Sequence, residues 1–346
     1  MHTPESKKHR PLPPGMDKES LLQDYYTGQL SRQLSLIGRK EVLNGRAKFG
    51  IFGDGKEVPQ LALAHYFRDG DFRSGYYRDQ TLQMALGLLT PEQFFAQLYG
   101  DTDLAHNPDS GGRLMNNHFA THSLDENGQW KNLMAQKNSS SDISPTAGQM
   151  PRLLGLAYAS KVFRKHPDLQ HMKNFSDNGD EVAFGTIGDS STSEGHFFET
   201  INAAGVLQVP LVISVWDDGY GISVPKEYQT TKGSISEALR GFEKNGGQNG
   251  YAIYQVPGGD YPGLLHAYKE GVAIARKEHV PVLFHVTGLT QPQGHSSSGS
   301  HERYKSRERL EWERQNDPLL QMRQWLQDAG FATEEVLAAL EEKAQE

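Results

Sequence analysis

Apolar residues in this chain gather into short runs separated by polar turns. Val182 to Ile187 is one such run, and Leu211 to Trp216 is another, bounded by Pro210 and by Asp217-Asp218-Gly219. Each has the length of a strand buried on both faces. The segment between them, from roughly Glu194 to Leu207, reads as a helix. Together they make one βαβ unit, in which a right-handed crossover sets the two strands parallel and usually adjacent. Both polar turns then fall at the carboxyl end of one sheet, where open α/β sheets take ligands.

The same reading extends along the chain. Lys18 to Asn44 reads as helical and is followed by the Gly-rich turn FGIFGDGKEVPQ and a helix over Val58 to Tyr66. Gly53-Asp54-Gly55 lies in no βαβ frame, so it is expected to supply turn and helix-cap chemistry rather than a ligand site. After the polar segment GYYRDQT come helices near Gln80 to Leu89 and Pro91 to Tyr99. Residues 100 to 141 are rich in Asp, Asn, Gly, Ser and His; a long irregular stretch between ordered parts points to function rather than to a linker. A small-residue helix ends near Lys165, and 166 to 180 reads as a surface loop. A strand (Tyr251 to Val256), a helix (Tyr261 to Lys277) and a strand (Val280 to Thr287) follow the loop at 240 to 250. After the polar loop Gln291 to Ser306 the tail is helical, with Pro318 opening one helix and Thr333 capping the last. No internal repeat is present. Strands alternating with helices predict an α/β fold, a three-layer sandwich around a mostly parallel sheet. The expected organisation is a flexible N-terminal arm (1–17), one main domain (18–330) and a C-terminal helix (331–346) that could lead towards a partner or a fused domain.

Composition narrows the classes. The chain has 346 residues, 36% of them hydrophobic, which is ample for a sizeable core. A net charge of -8 argues against a nucleic-acid footprint, and no apolar run approaches the ~18 residues of a membrane span. The absence of cysteine removes disulfides, thiol nucleophiles and thiolate metal sites, and a cytoplasmic location is expected.

The chemistry gathers at the two turns of the βαβ unit. Asp189 and Asp218, far apart in sequence, can meet there beside small residues at a helix N-terminus. Two carboxylates so placed suit a divalent cation holding a phosphate. Each also has a simpler reading: Asp189 as a helix cap, Asp218 as a turn residue.

Several landmarks occur in a fixed order: GYYRD, a Gly-Gly-Arg loop, ISPTAGQMP, the stretch from Gly188 to Gly221, and GHSSS. In this order they resemble the alpha subunit of the thiamine-diphosphate-dependent 2-oxoacid dehydrogenases, the decarboxylating first component of those complexes, over roughly residues 30 to 330. The resemblance implies the diphosphate-binding half of a thiamine-diphosphate fold, with Mg²⁺ held by Asp189, Asp218 and the backbone carbonyl of Tyr220. It places backbone groups of Gly188, Ser190 and Ser191 near the diphosphate, with Tyr77 and Arg78 holding it. Ile143, Ser144 and Pro145 would lie beside the aminopyrimidine. His295 would be the catalytic histidine near the diphosphate and reacting carbon. His106, His118, His122 and Arg113 are candidates for a substrate channel. Ser296 to Ser298 match a place where some relatives are phosphorylated, although a flexible loop is the plainer reading.

The chain departs from the family pattern. Gly-Asp-Gly is Gly188-Asp189-Ser190, and Asn-Asn is Asp217-Asp218. A carboxylate in place of a neutral ligand adds negative charge beside a diphosphate, from which an unusually strict metal dependence is expected. Trp216 stands where branched-chain relatives have Arg, and Gly148 where a potassium-site threonine is usual. The resemblance implies oxidative decarboxylation of a 2-oxoacid, branched-chain favoured and pyruvate close behind, with acyl transfer to the lipoyl arm of a transacylase component. It also implies a beta subunit or fused beta domain, in an α₂β₂-like assembly, to complete the active site. The alternatives are an acetoin dehydrogenase or transketolase-like thiamine enzyme, and a catalytically silent scaffold or regulatory subunit of the same fold. A dinucleotide-binding dehydrogenase is disfavoured, since no G-x-G-x-x-G follows a strand.

Overall fold

The computed structural model describes residues 11–297 and 299–346. Positions 1–10, and with them most of the expected arm, lie outside the described residues, as does Ser298.

The helices are α1 (Lys18–Leu43), α2 (Glu57–Ala64), α3 (Gln80–Ala85), α4 (Pro91–Tyr99), α5 (Gln149–Lys165), α6 (Gly195–Leu207), α7 (Ile235–Ala238), α8 (Tyr261–Glu278), α9 (Arg307–Gln315), α10 (Pro318–Asp328) and α11 (Glu334–Gln345). The strands are β1 (Phe72–Ser74), β2 (Asn138–Ser139), β3 (Ala183–Gly188), β4 (Leu211–Trp216), β5 (Tyr220–Gly221), β6 (Val224–Pro225), β7 (Ala252–Pro257) and β8 (Val282–Thr287). Six of them form one sheet in the order β2-β1-β3-β4-β8-β7, parallel throughout, and β5 and β6 pair as a small hairpin. The expected α/β sandwich is present.

The middle of the sheet shows why its strands read as unbroken apolar runs. Every residue of β4 is buried. Leu211, Ile213 and Val215 join a core with α5 and α6 on one face, while Val212 and Trp216 join a second core with α1, α2, α8, α10 and α11 on the other. A period-2 backbone covered on both faces puts apolar residues at every position. α11 packs into the second core through Leu337 and Leu340, and Leu12 and Met16 from the segment before α1 also pack against it. The described part of the arm is thus draped over the core.

Three local expectations are corrected. The strand β1 was not anticipated, because the buried Arg73 at its centre breaks the apolar signal. That guanidinium lies among Asp79 (2.8 Å), Ser139 (2.8 Å) and both oxygens of Asp142 (3.1 and 3.0 Å). α3 stops at Ala85, short of Leu89, with Gly87 in a left-handed turn just beyond. The Gly53-Asp54-Gly55 turn does not cap α2: the N-cap is Lys56, with no side-chain cap bond. The Asp54 carboxylate instead accepts from the Gln293 amide at 2.8 Å. Gly55, at φ +86°, lets the turn approach the Thr290 carbonyl, where a Cβ would stand 2.1 Å away. The turn therefore clamps the loop that carries His295.

The chain runs from β1 to β2 on one side of the sheet and from β3 to β4 on the other. Strand order diverges between β1 and β3, and a crevice at their carboxyl ends is where such sheets bind ligands.

Candidate active site

Register decides which residues meet. Gly188 pairs with Trp216, so the turns that follow them, Asp189 onward and Asp217 onward, start side by side. The Asp189 amide donates to the Trp216 carbonyl at 3.1 Å. The turn after β1 brings in Tyr76, Tyr77 and Arg78, and the loop after β8 brings in His295. A cavity of about 310 Å³ lies among them, lined by Lys56, Tyr77, Arg78, Asp189, Asp218 and His295, with Gly188, Ser190, Ser191 and Tyr220 also on its wall.

Asp189 begins a single 3-10 turn, Ser190–Ser193, and makes no side-chain cap bond. The helix-cap reading therefore has no support. Its Oδ2 is buried without a partner. Burial, and then the nearby charges of Asp218 and Asp217, push this carboxyl well above the usual carboxylate range. A buried acceptor left open in a polar cavity is the place for a cation to settle.

Asp218 is fully engaged. Its Oδ2 accepts from Lys56 Nζ at 2.7 Å, His295 Nε2–H faces both oxygens at 3.0 and 3.2 Å, and Oδ1 accepts from the Tyr220 amide at 3.1 Å. Burial disfavours its charge, yet His295 and Lys56 outweigh that and hold the carboxyl well below its usual range. Asp217 points elsewhere, to Lys226 at 3.0 Å and His285 at 2.9 Å. Among the described residues, no three His, Asp or Glu side chains converge as a metal-ligating group. A cation here would rest on Asp189 first, with Asp218 and the Tyr220 backbone beside it.

Arg78 lines the cavity while donating to the carbonyls of Phe52 (2.6 Å) and His295 (2.8 Å). It thereby joins the turn after β1 to the loop after β8. The Tyr77 ring lies 5.5 Å from its guanidinium. His295 is buried; desolvation, together with the charges of Arg78 and Lys56, lowers its pKa against the pull of Asp218, and its Nδ1 has no partner. A neutral imidazole with one open nitrogen in the cavity wall can hold or move a proton there.

Other expected residues fall outside. Ile143, Ser144 and Pro145 are not on the cavity wall, although the adjoining Thr146 is. Ser144 bonds His118 Nε2 at 3.0 Å, and the His118 ring lies 6.4 Å from that of Tyr77, so His118 is linked to the site through these two. His106 pairs with Asp101, His122 with the Pro108 carbonyl and Arg113 with the Ser110 carbonyl; none of the three lines the cavity. Gly148 sits at the N-cap of α5 with its amide donating to the Pro145 carbonyl.

Sequence reading missed Lys56 and Arg309. Arg309 donates to the Asp218 carbonyl at 2.6 Å, and its guanidinium stacks on Tyr220 at 5.3 Å, so α9 braces the Asp218–Tyr220 turn. Lys56 had a signal: an aspartate in a neutral ligand's place calls for a cation. Nothing local said which one.

Residues 28–346 match the family of the dehydrogenase E1 component. The 2-oxoisovalerate dehydrogenase subunit alpha of Bacillus subtilis is 28% identical over 96% of this chain and 88% of its own length. The mitochondrial 2-oxoisovalerate dehydrogenase subunit alpha of Bos taurus is 26% identical over 93% of the chain, and subunit alpha 1 of Arabidopsis thaliana 28% over 84%. The chain spans about three fifths of the bovine relative (62%) and half of the plant one (53%). With a match over most of its length, this chain belongs to the dehydrogenase E1 component family of oxidoreductases.

Proposed function

We propose that the chain is the alpha component of a thiamine-diphosphate-dependent 2-oxoacid dehydrogenase, acting on a branched-chain 2-oxoacid. The observation that carries this reading is the open Asp189 oxygen at the tip of β3, in one cavity with Arg78 and His295. The donor set fits a Mg-bound diphosphate: a carboxylate with a free acceptor, small hydroxyls at Ser190 and Ser191, and a cationic Arg78. Bound thiamine diphosphate would supply the electron sink for decarboxylation. The protein's part is to hold the metal at Asp189, orient the phosphates with Arg78 and Tyr77, and keep a neutral His295 ready to exchange a proton through Nδ1. The branched-chain preference rests on the names of the relatives.

A beta subunit or domain completing the site, and a lipoyl-bearing acyl acceptor, belong to the same proposal. The relatives are alpha subunits by name. On the cavity wall Ile222 is 61% exposed, an apolar side chain open to a partner. The engagement of Asp218 by Lys56 favours a rival reading, a subunit that keeps the fold without catalysis. The test is decarboxylation of 2-oxoisovalerate, pyruvate and 2-oxoglutarate by the chain co-expressed with a beta component, with Mg²⁺, thiamine diphosphate and an artificial electron acceptor. Turnover with 2-oxoisovalerate in first place supports the proposal. A well-folded complex inactive on all three selects the silent subunit.

A further inference from the structure

An aspartate at position 218 puts a second carboxylate within reach of Asp189, in a cavity suited to a diphosphate. Left alone it would repel the cofactor whenever the metal is absent. It is not left alone. Lys56, whose side chain is 2% exposed, reaches it from the turn before α2, 162 residues earlier in the chain. The ammonium donates to Asp218 Oδ2 at 2.7 Å, to the Thr290 carbonyl at 2.9 Å and to Gln291 Oε1 at 2.7 Å. All its hydrogens are used within the protein, so it does not serve as a phosphate ligand. Its charge nonetheless remains in the cavity wall, in a buried setting where a unit charge acts several-fold more strongly than in water.

We propose that Lys56 is the built-in counter-charge of the Asp218 corner, and that this pair sets how strongly the diphosphate site depends on a divalent cation. The strict metal dependence expected from the sequence assumed an uncompensated carboxylate, and Lys56 removes that premise. The groups around the pair are His295, Arg78, Asp189, the Tyr220 amide, Arg309 on the Asp218 carbonyl, and Lys305, which is paired with Glu313 at 2.6 Å; of the cations, Lys56 is the one that bonds the Asp218 carboxylate. Arg78 is committed to two backbone carbonyls, Arg309 to the Asp218 carbonyl and Lys305 to Glu313, which leaves Lys56 as the cation on the Asp218 carboxylate itself. The pair acts on the cofactor through charge rather than contact, and Lys56 is in that sense a positioning residue.

This inference rests on the proposed diphosphate cofactor, and the experiment separates the two. Thiamine diphosphate is titrated calorimetrically into the chain co-expressed with a beta component, once with Mg²⁺ and once with a chelator, and the ratio of the dissociation constant without metal to that with metal is the readout. Lys56→Met leaves Asp218 uncompensated and should raise the ratio at least about tenfold. Asp218→Asn leaves Lys56 free and should lower it by a similar factor. The double variant removes both charges and should return to within about threefold of wild type, which also guards against a Lys56→Met protein that fails to fold. Opposite shifts that cancel are a signature that a purely structural ion pair does not give. A ratio unmoved by either single variant, or moved in the same direction by both, overturns the role of Lys56. No binding by the wild-type complex with Mg²⁺ overturns the cofactor proposal itself, and this inference with it.

Discussion

Arg78 and His295, 217 residues apart in sequence, are joined by a 2.8 Å hydrogen bond from the guanidinium to the histidine carbonyl. The bond fixes the backbone of the loop that carries the imidazole. A second bond, to the Phe52 carbonyl, ties in the turn that delivers Lys56. Three segments distant in sequence are thus held at one wall of the cavity, and the predictions below follow from how they are held.

Asp189 offers an open carboxylate oxygen in the site. Asp189→Asn keeps the shape and removes the charge a metal needs. Affinity for thiamine diphosphate in Mg²⁺ should fall by about a hundredfold, roughly 2.7 kcal/mol. Folding stability should stay level or rise, because an unpaired buried carboxyl is replaced by a neutral amide. Calorimetric titration and a thermal melt, run in parallel, check both halves; a melt that collapses in the variant contradicts the second.

The turn that carries Tyr77 and Arg78 is built on the buried Arg73. Arg73→Met strands Asp79 and Asp142, and breaking such a buried pair costs about 3–5 kcal/mol. Gly75→Ala acts on the same turn from the other side. A Cβ there would lie 2.1 Å from Asp79 Oδ2 and 2.4 Å from Arg73 Nε, so overpacking should cost about 1–3 kcal/mol. Urea melts rank the two, with Arg73→Met the more damaging.

Arg309 braces the Asp218–Tyr220 turn from α9. Its loss leaves Glu313 still paired with Lys305 at 2.6 Å, so the helix keeps its anchor. Arg309→Ala removes a charge-assisted hydrogen bond worth about 1.5–3 kcal/mol to the folded chain, so the melting temperature should fall modestly and cofactor binding should weaken as the turn loosens. An unchanged dissociation constant would show that the turn holds without it.

His279 lies away from the site, in a left-handed conformation after α8, with its Nε2 donating to the Gly179 carbonyl at 2.9 Å. Burial, opposed by that bond and reinforced by nearby lysines and Arg164, lowers its pKa to about 4. An unfolded histidine protonates near pH ~6.5, so the unfolded chain binds more protons between about pH 6.5 and 4, and stability falls as pH falls through that window. His279→Asn keeps a residue tolerant of the left-handed backbone but cannot titrate. The wild type should be the more stable above pH ~7, by about 1 kcal/mol for the lost bond; the gap should close near pH ~6 and reverse below it. A gap constant with pH refutes the assignment.

The sequence alone determined most of the frame. The strands Leu211–Trp216 and Ala183–Gly188 are apolar at nearly every position because both faces of the sheet are covered, so a linear scan finds them within a residue. The turns after them were legible as the ligand end for the same reason, since topology follows from alternation of strand and helix. Tertiary structure alone decided the chemistry within the cavity. The strand β1 was hidden because an ion pair, not an apolar side chain, fills its buried position. Whether Asp218 faced a metal alone or a counter-charge depended on Lys56, which sits in a turn whose glycines look like ordinary loop chemistry. Hydrophobic periodicity is written locally, residue by residue, and can be read along a chain. Charge compensation is satisfied through space by whichever cation folding brings within about 3 Å, and no local pattern records it.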